Sequence, residues 1–311
     1  MPRGFSQQQP VPEELLGPLV EANEWLSNSA MLRASFAEHG YVLLRNVLPC
    51  EDVLEARRAV FSLLADVGEI AEPVAEGIAT GTSRRRETAG DLGQFWKTVS
   101  EHPALRAVTH GTRLAELAGI LFDQPARAHN YLFLRPAPVG NATNLHYDYP
   151  FFAGGASTIV TAWVPLGEIP VGDGPLVVVE RSQTFDDLIK PMRAAALNGD
   201  PNAFARAQDY AYQAATENMV EFVRSRRTRL LTAYFQPGDV ILFGGFTMHG
   251  SLDNRSEIGR VRLSVDVRYQ PASEPAVDPR FFGPNPVGAK GGGYGEQKAA
   301  QPLGTPWVAK Q

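Results

Sequence analysis

From Ala30 onward the apolar positions fall first at helical spacing and later in short strand-like runs. Leu32 and Phe36, with Gly40 as a stop, predict a short helix. Tyr41 to Leu48 follows as a buried strand, and Pro49-Cys50-Glu51-Asp52 opens a second helix with Val53, Ala56, Val60, Leu63 and Leu64 at helical spacing. Two more helical segments are read around Gln94 to Glu101 and Ala104 to Phe122, the latter with Leu114, Leu117, Ala118 and Leu121 as its stripe. At Ala126 the period changes to two. Ala128, Asn130 and Leu132 alternate with His129, Tyr131 and Phe133 in a strand ending at Arg135-Pro136. Further strands are expected at Ser157 to Leu166, Gly174 to Val179, Leu230 to Phe235 and Val240 to Phe243. Short strands separated by turn signals suggest a jelly roll or barrel.

Three stretches break this rhythm. Residues 1–30, rich in Pro, Gln and Glu, read as a loosely held N-terminal arm with one helical piece around Leu19 to Leu26. Residues 185–229 read as a helical insertion, with Lys190 to Leu197 and Ala203 to Arg224 separated by Asn198-Gly199-Asp200-Pro201. Residues 283–311, rich in Gly, Pro, Lys and Gln, read as a loosely ordered tail. The single domain then spans 31–282. Within it, the loop 65–94 carries Ser83-Arg84-Arg85-Arg86-Glu87, either a solvated face or a lid whose arginines, Arg85 among them, meet an anionic substrate.

Composition narrows the function more than the fold. A hydrophobic fraction of 44% supports a sizeable core, and a net charge of -5 gives no basic excess for nucleic acid. The lone Cys50 rules out an internal disulfide and a cysteine-built zinc site. Met1 to Leu16 lacks the apolar run of a signal peptide, and no stretch approaches the roughly 18 apolar residues of a membrane span. A cytoplasmic protein without a membrane partner is the expectation.

The chemistry concentrates in Asn144-Leu145-His146-Tyr147-Asp148-Tyr149-Pro150. In extended chain, residues two apart share a face, so His146 and Asp148 are able to grip one ion from one side. Ordinary turns also place His beside Asp, and a metal reading needs a third ligand. His249, in Thr247-Met248-His249-Gly250-Ser251, is the obvious one. Two imidazoles and a carboxylate suit a borderline divalent ion such as Fe(II) and leave positions open opposite them. His102 and His110 have no carboxylate two residues away on an extended segment and read as surface or capping residues.

Taken together, Phe36-Ala37-Glu38-His39-Gly40-Tyr41-Val42-Leu43-Leu44-Arg45, His146-Tyr147-Asp148, Trp163-Val164-Pro165-Leu166, Gly174-Pro175-Leu176, Pro237-Gly238-Asp239-Val240 and His249-Gly250-Ser251 with Asn254-Arg255-Ser256 resemble the Fe(II)/2-oxoglutarate-dependent dioxygenases, and within them the phytanoyl-CoA dioxygenase-like family. The likeness runs from about Phe36 to Tyr269. It implies a double-stranded β-helix, a cupin-like jelly roll with flanking helices, and iron held by His146, Asp148 and His249. It also implies an arginine after His249 for the far carboxylate of 2-oxoglutarate. Arg262, with Ser264 two residues on, is favoured; Arg260 is a close second, and Arg268 is expected to pair with Asp266 instead. Tyr131, Thr161 and Trp163 are candidates to line the co-substrate, and Phe133 and Arg135 the substrate, although aromatic strand residues are commonly core. Glu180-Arg181-Ser182-Gln183 departs from the Gly-Ser-His ending frequent in relatives, which affects a turn and no ligand.

The implied activity is hydroxylation, desaturation or ring closure of a small organic molecule, with O2 and 2-oxoglutarate converted to succinate and CO2. Because Asp148 is a carboxylate, where halogenating relatives carry a small residue, halogenation is not expected. Two other readings stand beside this one. A metal-binding cupin-like sensor or isomerase would need no arginine for a far carboxylate, and a structural β-sandwich would leave His146 and His249 without a shared centre.

Overall fold

A computed structural model describes residues 3–152, 158–197 and 218–305. Its strands are β1 (Phe5–Ser6), β2 (Gln9–Pro10), β3 (Leu16–Pro18), β4 (Tyr41–Leu44), β5 (Ala126–Ala128), β6 (Phe133–Ala137), β7 (Val160–Pro165), β8 (Leu176–Val179), β9 (Leu230–Thr232), β10 (Val240–Gly244), β11 (His249–Ser251) and β12 (Arg262–Pro271). A larger sheet runs β4-β10-β7-β12-β5 with β6 also on β12, and a smaller one runs β11-β8-β9-β3. Two facing sheets with helices on the outside of one make the expected jelly-roll core.

Alternation along the strands assigns the two faces of the larger sheet. Val42, Leu44, Ala162, Val164, Val240, Leu242, Val265 and Val267 share one core with helix residues such as Val53, Val60, Trp96 and Leu117. Their neighbours Tyr41, Leu43, Trp163, Ile241 and Phe243 pack instead with Leu176, Val178 and Leu231 of the smaller sheet. The second face therefore points between the sheets, and on β12 it carries Arg262, Ser264, Asp266 and Arg268. Four buried polar residues on an inward face mark a site rather than a core.

The flanking helices form where their caps and stripes require. Asn28 Oδ1 accepts from the Met31 amide at 3.2 Å to start the helix Ser29–His39, and Gly40 ends it at φ 79°. A side chain at Gly40 would also meet Thr247 Oγ1 at 2.7 Å, so glycine is needed there twice over. In Cys50–Asp66 the expected stripe is buried at Val53, Ala56, Val60 and Leu64, with Leu63 half-buried. His102 caps the helix Pro103–Thr109, as anticipated, through Nδ1 and the Ala104 amide.

Both ends of the chain differ from expectation. The arm 1–30 contributes β1 and β2, and β3 pairs in parallel with β9; the helical piece expected around Leu19 to Leu26 is only a short turn at Asn23–Trp25. Leu16 and Leu19 are buried, and the Leu19 amide donates to Thr232, which fixes the segment as sheet edge. Residues 283–305, expected as a loose tail, lie against the helices and β6. Tyr294, Ala299, Ala300 and Leu303 are buried, while Gln297 accepts from Trp96 Nε1 and donates to the Leu132 carbonyl. Order there comes from side chains elsewhere gripping its backbone, which composition does not reveal. The strand predicted through Ala126 to Arg135 divides into β5 and β6, because Asn130 and Tyr131 turn their amides to the Phe281 carbonyl.

The helical insertion is described at its ends, Asp186–Leu197 and Met219–Ser225; residues 198–217, including most of its second helix, lie outside the described residues. Among the described residues no helix is long and apolar enough to cross a membrane.

Candidate active site

The two imidazoles are brought together by backbone. His146 and His249 exchange amide-to-carbonyl hydrogen bonds of 2.9 and 3.0 Å as an antiparallel pair, and their ring centroids lie 4.3 Å apart. Each ring uses Nδ1 on a carbonyl two residues earlier, His146 on Asn144 at 2.9 Å and His249 on Thr247 at 3.0 Å. That leaves both Nε2 atoms free to donate a lone pair. Burial, and then the neighbouring His249, pushes His146 down to about 3, and burial also lowers His249. Both rings are therefore neutral near pH 7.

Asp148 completes the cluster. Its Oδ1 lies 3.7 Å from His146 Nε2 and 4.0 Å from His249 Nε2, and the three possible ligand atoms fall within 4.8 Å of one another. Arg268 grips both carboxylate oxygens through Nη2, at 3.0 Å to Oδ1 and 2.9 Å to Oδ2, and Thr161 donates to Oδ2 at 2.6 Å. Burial works to raise this carboxyl, but Arg268 and then the imidazoles hold it well below the usual carboxylate range. Two neutral imidazoles and one ionised carboxylate are a donor set that fits a divalent first-row ion.

Beside the cluster a cavity of about 260 Å³ is walled by Phe133, Phe151 and Phe152 on one side and by the segment 289–299 on the other. A smaller hollow behind the imidazoles reaches Trp163, Ser251 and Arg262. Arg262 is buried; its Nη1 donates to Ser264 Oγ at 2.7 Å, its Nη2 reaches Ser251 Oγ at 3.4 Å, and its Nε has no partner. Among the described residues no carboxylate pairs with it. Burial first, and then Arg135, lowers it to about 10, so it stays charged.

Several expectations are corrected by this geometry. Arg260 lies just before β12, half-buried, and pairs with Asp173 at 3.2 Å, away from the hollow. Arg268 meets Asp266 only at 3.6 Å and is committed chiefly to Asp148. Thr161 likewise spends its hydroxyl on Asp148. Tyr131 does not line either space; its hydroxyl donates to the Gly293 carbonyl at 2.9 Å and anchors the C-terminal segment. Arg85 is no free lid residue either. It is fully buried, pairs with Glu69 at 2.5 Å, and donates to the carbonyls of Ala299, Ala300 and Gln301. Phe133 and Arg135 do line the cavity, and Trp163 the hollow. Ser251 was overlooked, although it lies two residues after His249 and hence on the same face.

The family model of phytanoyl-CoA dioxygenase (PhyH) matches residues 36–261. The chain belongs to this family. The matched residues thus include His146, Asp148 and His249, while β12 with Arg262 and Arg268 begins just beyond the match. Two curated relatives are 1-deoxypentalenic acid 11-beta-hydroxylases. That of Streptomyces exfoliatus is 26% identical over 84% of this chain and 87% of its own length, and that of Streptomyces arenae 27% identical over 80% and 83%. Among solved structures, EctD from S. alaskensis with 2-oxoglutarate and 5-hydroxyectoine aligns with TM-score 0.51 at 20% identity, covering 92% of this chain and 90% of that one. The non-heme alpha ketoglutarate dependent carbocyclase SnoK from nogalamycin biosynthesis aligns with TM-score 0.50 at 21% identity, over 82% and 87%. These structures share the fold of this PhyH-family chain.

Proposed function

We propose that this protein is a non-haem Fe(II)/2-oxoglutarate-dependent oxygenase of a small organic molecule, with iron on His146, Asp148 and His249 and the far carboxylate of 2-oxoglutarate on Arg262. Family membership and the hydroxylase relatives support the reaction class. The residue roles rest on one observation: Arg262 is a buried guanidinium with no ion-pair partner among the described residues, in a hollow that also touches His146 and His249. An uncompensated buried cation is costly, and a bound dicarboxylate relieves it through the guanidinium fork and the Ser264 hydroxyl. A sensor or isomerase on the same barrel has no need of such a group.

Iron bound to these three side chains would supply activation of O2 and oxidation of the substrate, coupled to decarboxylation of 2-oxoglutarate to succinate. The protein's own part is positional. Asn144 and Thr247 carbonyls fix the imidazole tautomers, Arg268 and Thr161 hold Asp148 ionised, and the phenylalanine wall keeps water from the reacting position.

Anaerobic addition of Fe(II) and then 2-oxoglutarate to the metal-free protein is expected to give a visible charge-transfer band. The band is lost in His146→Ala and retained in His102→Ala. For Arg262→Ala, the 2-oxoglutarate needed for half the band rises by roughly 30-fold or more, as for one partner removed from a buried charge pair. No band in the unaltered protein would refute the oxygenase reading.

A further inference from the structure

Side chains alternate through the segment that carries His146 and Asp148. Leu145 and Tyr147 are buried with Val177, Val179 and Leu230 of the smaller sheet, while Asn144, His146 and Asp148 border the cavity. Asn144 therefore presents its side chain on the face that carries two of the three candidate ligands. Its backbone is held firmly there. The Asn144 carbonyl accepts from His146 Nδ1 at 2.9 Å, and next to it the Thr143 amide donates to Ser251 Oγ at 2.8 Å while the Thr143 carbonyl accepts from the Ser251 amide at 2.9 Å. β11 passes so close that a side chain at Gly250 would meet the Thr143 carbonyl oxygen at 2.7 Å. Most polar side chains around the cavity are already committed: Asp148 and Arg268 to each other, Arg135 to Asp266, Glu296 to the amides of Ala289, Lys290 and Gly292, and Gln297 to Trp96 and Leu132. The half-buried Asn144 side-chain amide makes no hydrogen bond among the described residues.

We propose that Asn144 sets the specificity of the site by hydrogen bonding to a hydroxyl group of the substrate, an apolar alcohol whose carbon skeleton lies along Phe133, Phe151 and Phe152. This rests on the oxygenase reading above and names the class of molecule that the site oxidises. Desolvation makes the choice. A substrate that fills the cavity strips water from the amide, and one without a polar group of its own leaves the amide's donor and acceptor unmade, so the site penalises a purely apolar ligand. A hydroxyl serves whichever amide atom faces it, by donating to Oδ1 or accepting from Nδ2. A carboxylate serves only Nδ2, and it would share the cavity with the Asp148 carboxylate. The contact also orients. With its carbonyl on the His146 ring and its amide on the hydroxyl, one residue fixes the substrate relative to a metal ligand.

The test is calorimetric titration under anaerobic conditions into enzyme loaded with Fe(II) and 2-oxoglutarate. The probes are 1-adamantanol, 1-methyladamantane, which has the same shape with a methyl group in place of the hydroxyl, and adamantane-1-carboxylate. The quantity read is the ratio of the Kd values of alcohol and hydrocarbon, compared between proteins so that the greater hydrophobicity of the methyl group cancels. Asn144→Leu is expected to move this ratio about tenfold towards the hydrocarbon, as for the loss of a buried neutral hydrogen bond, and Asn144→Ala, which adds no bulk, to move it the same way. The carboxylate should lose less affinity than the alcohol in both variants. A ratio that stays within about twofold of its unaltered value, a greater loss for the carboxylate than for the alcohol, or no binding of the alcohol to the unaltered enzyme would each overturn the inference. If the unaltered iron-loaded protein gives no charge-transfer band with 2-oxoglutarate, it is instead the oxygenase reading that falls.

Discussion

Arg268 shows how much one side chain can do for a carboxylate. Its guanidinium holds Asp148 in two places and lies over the rings of Phe133 at 4.4 Å and Phe152 at 5.1 Å, so it joins the ligand set to the cavity wall. Arg268→Ala is expected to weaken Fe(II) binding by roughly 10- to 100-fold, and Thr161→Val to do so less, because each frees Asp148 to turn while leaving the three ligand types in place. Anaerobic titration with Fe(II) checks this, and an unaltered Kd in Arg268→Ala would refute the positioning role. The three candidate ligands were legible in the sequence because His-x-Asp and a distant His have few reasons to recur with the surrounding motifs. Arg268 was not, since Asp266 offered a nearer partner on the same strand and only the fold brings residue 148 beside residue 268. Arg260, Arg262 and Arg268 are all even-numbered, so alternation along a strand could not choose among them. That needed the start of β12, which places Arg260 in the turn.

At the scale of elements, the C-terminal segment is built as a wall rather than a tail. Arg85 satisfies three of its carbonyls, Tyr131 a fourth, and Gln297 links it to Trp96 and Leu132. Removing Arg85 would strand the buried Glu69 carboxylate as well as those carbonyls. We expect Arg85→Ala to cost roughly 3–5 kcal/mol of stability, with Arg85→Lys recovering part of it. In limited proteolysis under native conditions, the segment 283–305 should be cut first in Arg85→Ala and resist in the unaltered chain. Uniform digestion of both would contradict the anchoring. Strands and helices with a clear apolar period were readable from the sequence. This segment was not, because Gly, Pro and Lys carry no period and its order is supplied by residues 162 to 216 positions away.

For the whole molecule, acid sensitivity follows from histidines outside the metal cluster. Burial, then Arg106, holds His110 at about 4, and burial holds His129 at about 4 against the Gln270 side chain, with Arg268, Asp278 and Arg280 acting at longer range. The ordinary value is 6.5, so between 6.5 and about 4 the unfolded chain takes up protons that the folded chain refuses. The stability that His110 and His129 contribute therefore falls as pH drops through that window and levels off below it. Thermal melts of the metal-free protein from pH 8 to pH 4 should show the decline beginning near 6.5, and it should be shallower in His129→Asn. A flat profile above pH 5 would exclude this source of acid lability.

The mutual amide pairing of residues 146 and 249 has a further consequence. Because peptide groups, and not the ion, hold the two imidazoles at 4.3 Å, the entropy of gathering these donors is lost when the chain folds rather than when iron arrives. Iron can then depart and return without the sheets coming apart, so an empty enzyme waits in nearly its working shape.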